Sequence, residues 1–178
     1  DDFRLERPTP VDEAKWGFAV VEDSLWRAVP EFLRRLDRAL FDSCGEHLPL
    51  DISPVSFVSW MGGDRDGNPN VTVAATKSAM ARGRDTAITK HIDDLSRAAR
   101  HISISSDIAE LPDIHVQLLA SITTRSDEFD ALIKRNPGEV FRQAVSAIIA
   151  RLEGRPLYTH TDELVSDLHE IENALFAI

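Results

Sequence analysis

The sequence predicts a mainly α-helical fold with one short strand, over residues 55–60. Three observations lead there. Apolar residues recur every three or four positions through most of the chain, as in helices with one buried face. Thr-Pro, Asn-Pro-Gly and Gly-Arg-Pro steps punctuate that pattern where helices start and stop. A single run, Val55-Ser56-Phe57-Val58-Ser59-Trp60, combines β-forming residues with rough alternation.

Taken in order, residues 1–8 are charged and read as extended. Thr9 is placed to cap a helix with Pro10 at its first position, and Asp12 and Glu13 sit near the positive end of the helix dipole. Ala14, Phe18, Val21 and Leu25 then recur at helical spacing, and Pro30 is expected to break or kink the helix. A second helix carries Leu33, Leu36 and Leu40 on one face and stops at Gly45. Leu48 to Pro54 reads as a connector to the strand.

Past a glycine-rich loop, Thr72 is placed to cap a long helix with a buried face of Ile88, Ile92, Leu95, Ala99 and Ile102. Gly83 inside it costs ~1 kcal/mol relative to Ala. Polar residues Ser103 to Asp107 end it. Pro112 opens the next helix, with Ile114, Leu118 and Ile122 in line. That pattern continues through Phe129, Leu132 and Ile133 with a break near Ser126, then turns at Asn136-Pro137-Gly138. Phe141, Val145, Ile148 and Leu152 mark another helix, ended by Gly154-Arg155-Pro156. Thr161 is expected to cap the last, with Leu164, Leu168, Ile171 and Leu175 on its face.

The 178 residues amount to about one domain, and 43% apolar content suffices for a core. No apolar run approaches the ~18 residues of a membrane span. A net charge of −10 argues against nucleic acid as partner. The lone cysteine, Cys44, excludes an intrachain disulfide and reads as a small, semi-buried residue in an intracellular protein. The chain opens on Asp1-Asp2-Phe3-Arg4 and stops in the apolar run Ala174 to Ile178. Those ends lead to the expectation of a piece of a longer polypeptide, with residues 1–178 forming one helical segment.

The chemistry concentrates between Ser59 and Thr72. Asp64-x-Asp66-x-Asn68 imitates the start of a calcium loop, but Pro69 and Ala75 stand where that loop needs Gly and Glu. Gly62, Gly63 and Gly67 make neither a dinucleotide fingerprint nor a phosphate loop. Arg65 either meets a phosphate at the start of the following helix or pairs with Asp64 or Asp66. The six histidines lack metal-site spacing and read as surface or capping residues. Trp16 and Trp26 read as packing. Trp60 differs: it precedes a glycine loop at the end of a strand, the edge where substrates sit in parallel β/α barrels.

The run S-W-M-G-G-D-R-D-G-N-P, residues 59–69, closely resembles the signature of phosphoenolpyruvate carboxylases. Asn70-Val71-Thr72 continues the likeness. Upstream, Pro8-Thr9-Pro10-x-Asp12-Glu13, Ser24-Leu25-Trp26 and Val29-Pro30-x-x-Leu33-Arg34 also follow the family pattern. The strong part covers residues 8–76. Downstream the likeness rests on helix order and Glu139-x-Phe141-Arg142.

The resemblance implies a cytoplasmic homotetramer, regulated by metabolites, that joins phosphoenolpyruvate to bicarbonate, giving oxaloacetate and phosphate with Mg²⁺ or Mn²⁺. It implies a largely helical chain built on an eight-stranded parallel β/α barrel. Residues 55–72 would be one barrel strand and an active-site loop, with Trp60 in an apolar pocket beside the substrate. Met61, Gly62, Gly63, Asp64, Arg65, Asp66 and Asn68 would shape that pocket, the glycines letting the loop close. Such walls would keep carboxyphosphate and the pyruvate enolate from water. The family's catalytic histidine segment, T-A-H-P-T, is missing here, as are its metal-binding carboxylates and its later histidine-arginine run. Lys15 and Trp16 stand where relatives usually carry arginine and alanine. The chain alone is therefore expected to hold no catalytic residue, bind no metal and be inactive, the rest of the polypeptide being its principal partner. The alternative is a stand-alone structural or regulatory helical protein that keeps the motif.

Overall fold

The computed structural model describes residues 8–49, 52–102, 104–105, 111–155 and 157–178. The extended reading of residues 1–7, connector residues 50–51, much of the Ser103 to Asp107 stretch and Pro156 lie outside the described residues. The described residues are mainly helical: α1 (Pro10–Val20), a π-helical turn (Val21–Leu25), α2 (Trp26–Cys44), α3 (Val73–His101), α4 (Asp113–Thr124), α5 (Phe129–Arg135), α6 (Val140–Leu152) and α7 (Thr161–Phe176). They divide into two compact units, Asp1–Lys90 and His91–Ile178, with the boundary inside α3.

In the first unit, Thr9 and Asp12 cap α1 reciprocally. The Asp12 amide donates to Thr9 Oγ1 at 3.2 Å, and the Asp12 carboxylate accepts from the Thr9 amide at 3.1 Å and hydroxyl at 2.6 Å. The Thr9 bonds, helped by Lys15, hold the Asp12 carboxyl below its usual range. Pro30 does not break the helix. Its ring crowds the carbonyl four residues earlier, that of Trp26, and removes that carbonyl's donor. The chain answers one turn upstream: Val21–Leu25 widens into a π-turn, and α2 then runs unbroken through Pro30.

Leu33, Leu36 and Leu40 are half-buried, and no residue of α2 is fully buried. Gly45 ends the helix at φ +76°, its amide on the Phe41 carbonyl at 2.8 Å. The returning chain is tied to α2 through Asp37, which accepts from the Leu48 amide at 2.8 Å and meets His47 Nδ1 at 3.1 Å. The Leu48 amide, then His47, hold the Asp37 carboxyl below its usual range. The His47 ring stacks on Phe41 at 4.5 Å.

Residues 52–60 form no helix, and the expected strand at 55–60 has no sheet partner among the described residues. Thr72 caps α3 as expected, its hydroxyl accepting from the Ala75 amide at 3.2 Å. The buried residues of α3 are small or polar: Ala75, Ala79, Thr86 and Ala99. Of the expected apolar face only Ala99 is fully covered; Ile88, Ile92, Leu95 and Ile102 are half-buried. Gly83 serves packing, because a Cβ there would lie 2.8 Å from the Phe18 ring.

The second unit holds the large buried side chains. Phe141, Val145, Ile148 and Leu152 of α6 are buried there, as are Leu119 and Ile122 of α4, Leu132 of α5 and Ile171 of α7, and α6 packs against all three of those helices. The break near Ser126 and the turn at Asn136-Pro137-Gly138 fall where expected, with Gly138 at φ +73° and Gly154 at φ +92°. Two faces are rotated from expectation. On α4, Leu119, Ile122 and Thr123 are buried, whereas Ile114 is exposed. On α7, Asp167, Ile171 and Ala174 are buried, whereas Leu168 and Leu175 are exposed. Thr161 is the first residue of α7 rather than its cap; His160 precedes it without a side-chain capping bond.

Candidate functional site

The loop from Trp60 to Asn70 is built as two turns on the start of α3. The Trp60 carbonyl closes the first, accepting from the amides of Gly63 and Asp64, both at 2.9 Å. Gly62 is buried and held at φ +74°, a conformation β-carbons disfavour. A Cβ on Gly62 would also stand 2.7 Å from the Ala79 Cβ. Its carbonyl accepts from Thr76 Oγ1 at 2.6 Å. Met61 reaches the other way: its thioether lies on α1 over Gly17, where a Cβ would come within 2.0 Å of the Met61 Sδ and Cε.

The second turn is closed by the Asn68 amide on the Arg65 carbonyl at 2.5 Å. Gly67 takes φ +73°, and Asp66 takes φ +21°. Asn68 shapes the exit, its Oδ1 accepting from the Asn70 amide at 3.0 Å and its carbonyl from the Val71 amide at 3.2 Å. Val71 is buried and returns the chain to α3.

On this base stand the exposed groups. Trp60 is 75% exposed. Gly63, Asp64, Arg65, Asp66 and Asn68 are exposed as well, while Met61 is half-buried. Arg65 pairs with neither Asp64 nor Asp66: its guanidinium has no ion pair among the described residues. The arrangement offers an indole face and a free cation on a base anchored to two helices. Among the described residues no group of three or more His, Cys, Asp or Glu side chains gathers.

Two residues that support the loop escaped the sequence reading, Gly17 and Thr76. Gly17 gave no signal beside Trp16 and Phe18. Thr76 was hidden in the first turn of a helix, where a threonine ordinarily bonds back within the helix.

Two other places gather polar groups. A cleft of about 480 Å³ opens between α1 and α3, lined by Lys15, Glu22, Arg82, Asp85, Thr86 and Lys90 among others. Within it Thr86 donates to the π-turn's Glu22 at 2.9 Å. In the second unit a cluster of charges surrounds the buried Asp167. It accepts from Arg125 at 2.5 Å, Tyr158 at 2.7 Å and Arg151 at 3.3 Å. Arg151 also meets Glu163 at 2.9 Å and lies 3.7 Å over the Tyr158 ring. Because Asp167 is fully partnered, the cluster reads as a structural tie among α4, α6 and α7. Elsewhere Cys44 is exposed rather than semi-buried, its thiol on the Leu40 carbonyl at 3.2 Å. Trp16 is 46% exposed and Trp26 half-buried. No helix among the described residues is long and apolar enough to cross a membrane.

Comparison with known proteins agrees with the loop's signature. The family model described as phosphoenolpyruvate carboxylase matches residues 1–176. A protein of that name from Chromohalobacter salexigens is 47% identical over 88% of this chain and 17% of its own length. Another, from Pseudomonas aeruginosa, is 41% identical over 99% of this chain and 20% of its own length. A third, from Pseudomonas entomophila, is 54% identical over 58% of this chain and 12% of its own length. The chain thus spans about a fifth or less of the curated relatives it matches.

Proposed function

The chain belongs to the phosphoenolpyruvate carboxylase family, and from that premise we propose that it supplies part of the wall of a carboxylation site. There phosphoenolpyruvate and bicarbonate would become oxaloacetate and phosphate. In this reading residues 55–60 complete a parallel β/α barrel, with neighbouring strands supplied by other segments of the same polypeptide. Trp60 gives an apolar face beside the substrate. Met61, Gly62, Gly63, Asp64, Arg65, Asp66 and Asn68 form the loop that presents it. The catalytic histidine and the ligands of Mg²⁺ or Mn²⁺ come from those other segments, within a cytoplasmic homotetramer.

The observation that carries this reading is Trp60, a large ring left 75% exposed on a loop whose base is tightly tied. An isolated indole in water gains nothing from such an anchor; one that borders a ligand does. Other large apolar side chains of the first unit, among them Phe57 and Val58, are exposed in the same way and suit packing against the rest of such an enzyme.

A coupled assay for oxaloacetate tests the assignment. The natural full-length protein is expected to form oxaloacetate from phosphoenolpyruvate and bicarbonate, and the purified 178-residue chain to form none. A full-length protein that makes no oxaloacetate, or an isolated chain that does, would refute it.

A further inference from the structure

We propose that Thr76, assisted by Gly17, is a positioning residue that sets where the Trp60 indole stands; its importance for activity rests on the reading of the loop given above. A threonine within a helix usually donates its one hydroxyl proton to the carbonyl four residues back. Here that contact, to the Thr72 carbonyl, is 3.2 Å, whereas the Gly62 carbonyl, fourteen residues away in sequence, is at 2.6 Å. The shorter bond takes the proton. Gly62 is buried, so its carbonyl would lose this partner without easy replacement by water.

From Gly62 to Trp60 the path is two residues long and closed by the Gly63 and Asp64 amides on the Trp60 carbonyl. Little slack remains between the anchor and the ring. The ring itself is 75% exposed, so few contacts hold it in place and its position is inherited from the backbone below. The second anchor approaches from α1, where the absence of a side chain at Gly17 admits the Met61 thioether. The loop is therefore tied to two helices, at successive residues, directly beneath Trp60. Gly62 serves close approach to Ala79 and a left-handed turn.

The test uses the full-length protein and two readouts. Hydrogen exchange read by mass spectrometry over residues 60–68 reports the anchoring; kcat and KM report its consequence. In Thr76→Val, exchange over 60–68 is expected to quicken at least about fivefold and kcat/KM to fall roughly tenfold, the cost of one lost buried hydrogen bond. Thr76→Ser keeps the donor and is expected to restore both. Gly17→Ala displaces only the flexible end of Met61, so it folds and gives a smaller rise in exchange, matched by Met61→Ala, which removes the same tie from the other side. Unchanged exchange in Thr76→Val overturns the proposal, as does a serine variant no better than the valine one. Should Thr76→Val fail to fold, an unchanged exchange in Gly17→Ala overturns it instead. Faster exchange with full activity in both Thr76→Val and Trp60→Ala leaves the anchor standing and removes the catalytic reading of the loop.

Discussion

At the scale of single residues, Tyr158 offers a direct reading of the second unit, because it is the only tyrosine in the chain. Burial, then the hydrogen bond to Asp167, push its phenol well above the ordinary value of 10.0. The protonated form is thus the one folding favours. Its contribution to stability is present below pH 10 and is lost as pH rises towards the folded-state value. Titration of tyrosinate absorbance in the 178-residue chain is expected to show ionisation well above pH 10 in buffer and near pH 10 in denaturant. Ionisation near pH 10 in both would show that Tyr158 is neither buried nor bonded to Asp167. Nothing in the sequence pointed to this cluster. Periodicity places Leu164, Leu168, Ile171 and Leu175 on the α7 face, yet the face turns to bury Asp167, since Arg125, Arg151 and Tyr158 converge on that carboxylate from elsewhere in the chain. Pairing across elements is invisible to a pattern read along one helix.

At the scale of elements, legibility followed how much of a helix is covered. All four predicted core residues of α6 are buried, because that helix is enclosed by α4, α5 and α7. Phe141, at 1% exposure, sits in that enclosure. Phe141→Ala is expected to destabilise the chain by about 3–5 kcal/mol in denaturant unfolding followed by circular dichroism, as for other buried phenylalanines. A loss below about 1 kcal/mol would contradict the packing described. The first unit was harder to read. Its fully covered residues, such as Ala14, Ala75 and Ala79, are small and carry little hydrophobic signal, so the apolar stripe of α2 overstated what is buried within it. Pro30 misled for a different reason. A π-turn at Val21–Leu25 precedes it, and the helix then runs on through Pro30, an option that rules of helix interruption leave out. The caps at Thr9, Gly45 and Thr72 were legible because each depends only on neighbours in sequence.

At the scale of the whole molecule, the two units differ in where their large side chains lie. The second unit encloses Phe141, Leu119, Ile122 and Leu132, whereas the first leaves Phe32, Phe41, Phe57 and Trp60 exposed. The family match spans residues 1–176, while relatives are several times longer. Burying such a surface against further segments would stabilise it substantially, at about 25 cal/mol per Å² of apolar area. The loop was legible as a candidate because its residues are contiguous in sequence. Its supports at Gly17 and Thr76 were not, because they approach it only through the fold.

In the role proposed above, Trp60 would shield a reactive intermediate from water. Water reaching that intermediate would release phosphate and pyruvate in place of oxaloacetate. The decisive measurement is the ratio of phosphate to oxaloacetate formed by the full-length protein with Trp60→Ala. The account predicts one to one in the parent and a clear excess of phosphate, with slower carboxylation, in the variant. An unchanged ratio together with unchanged rates would contradict it.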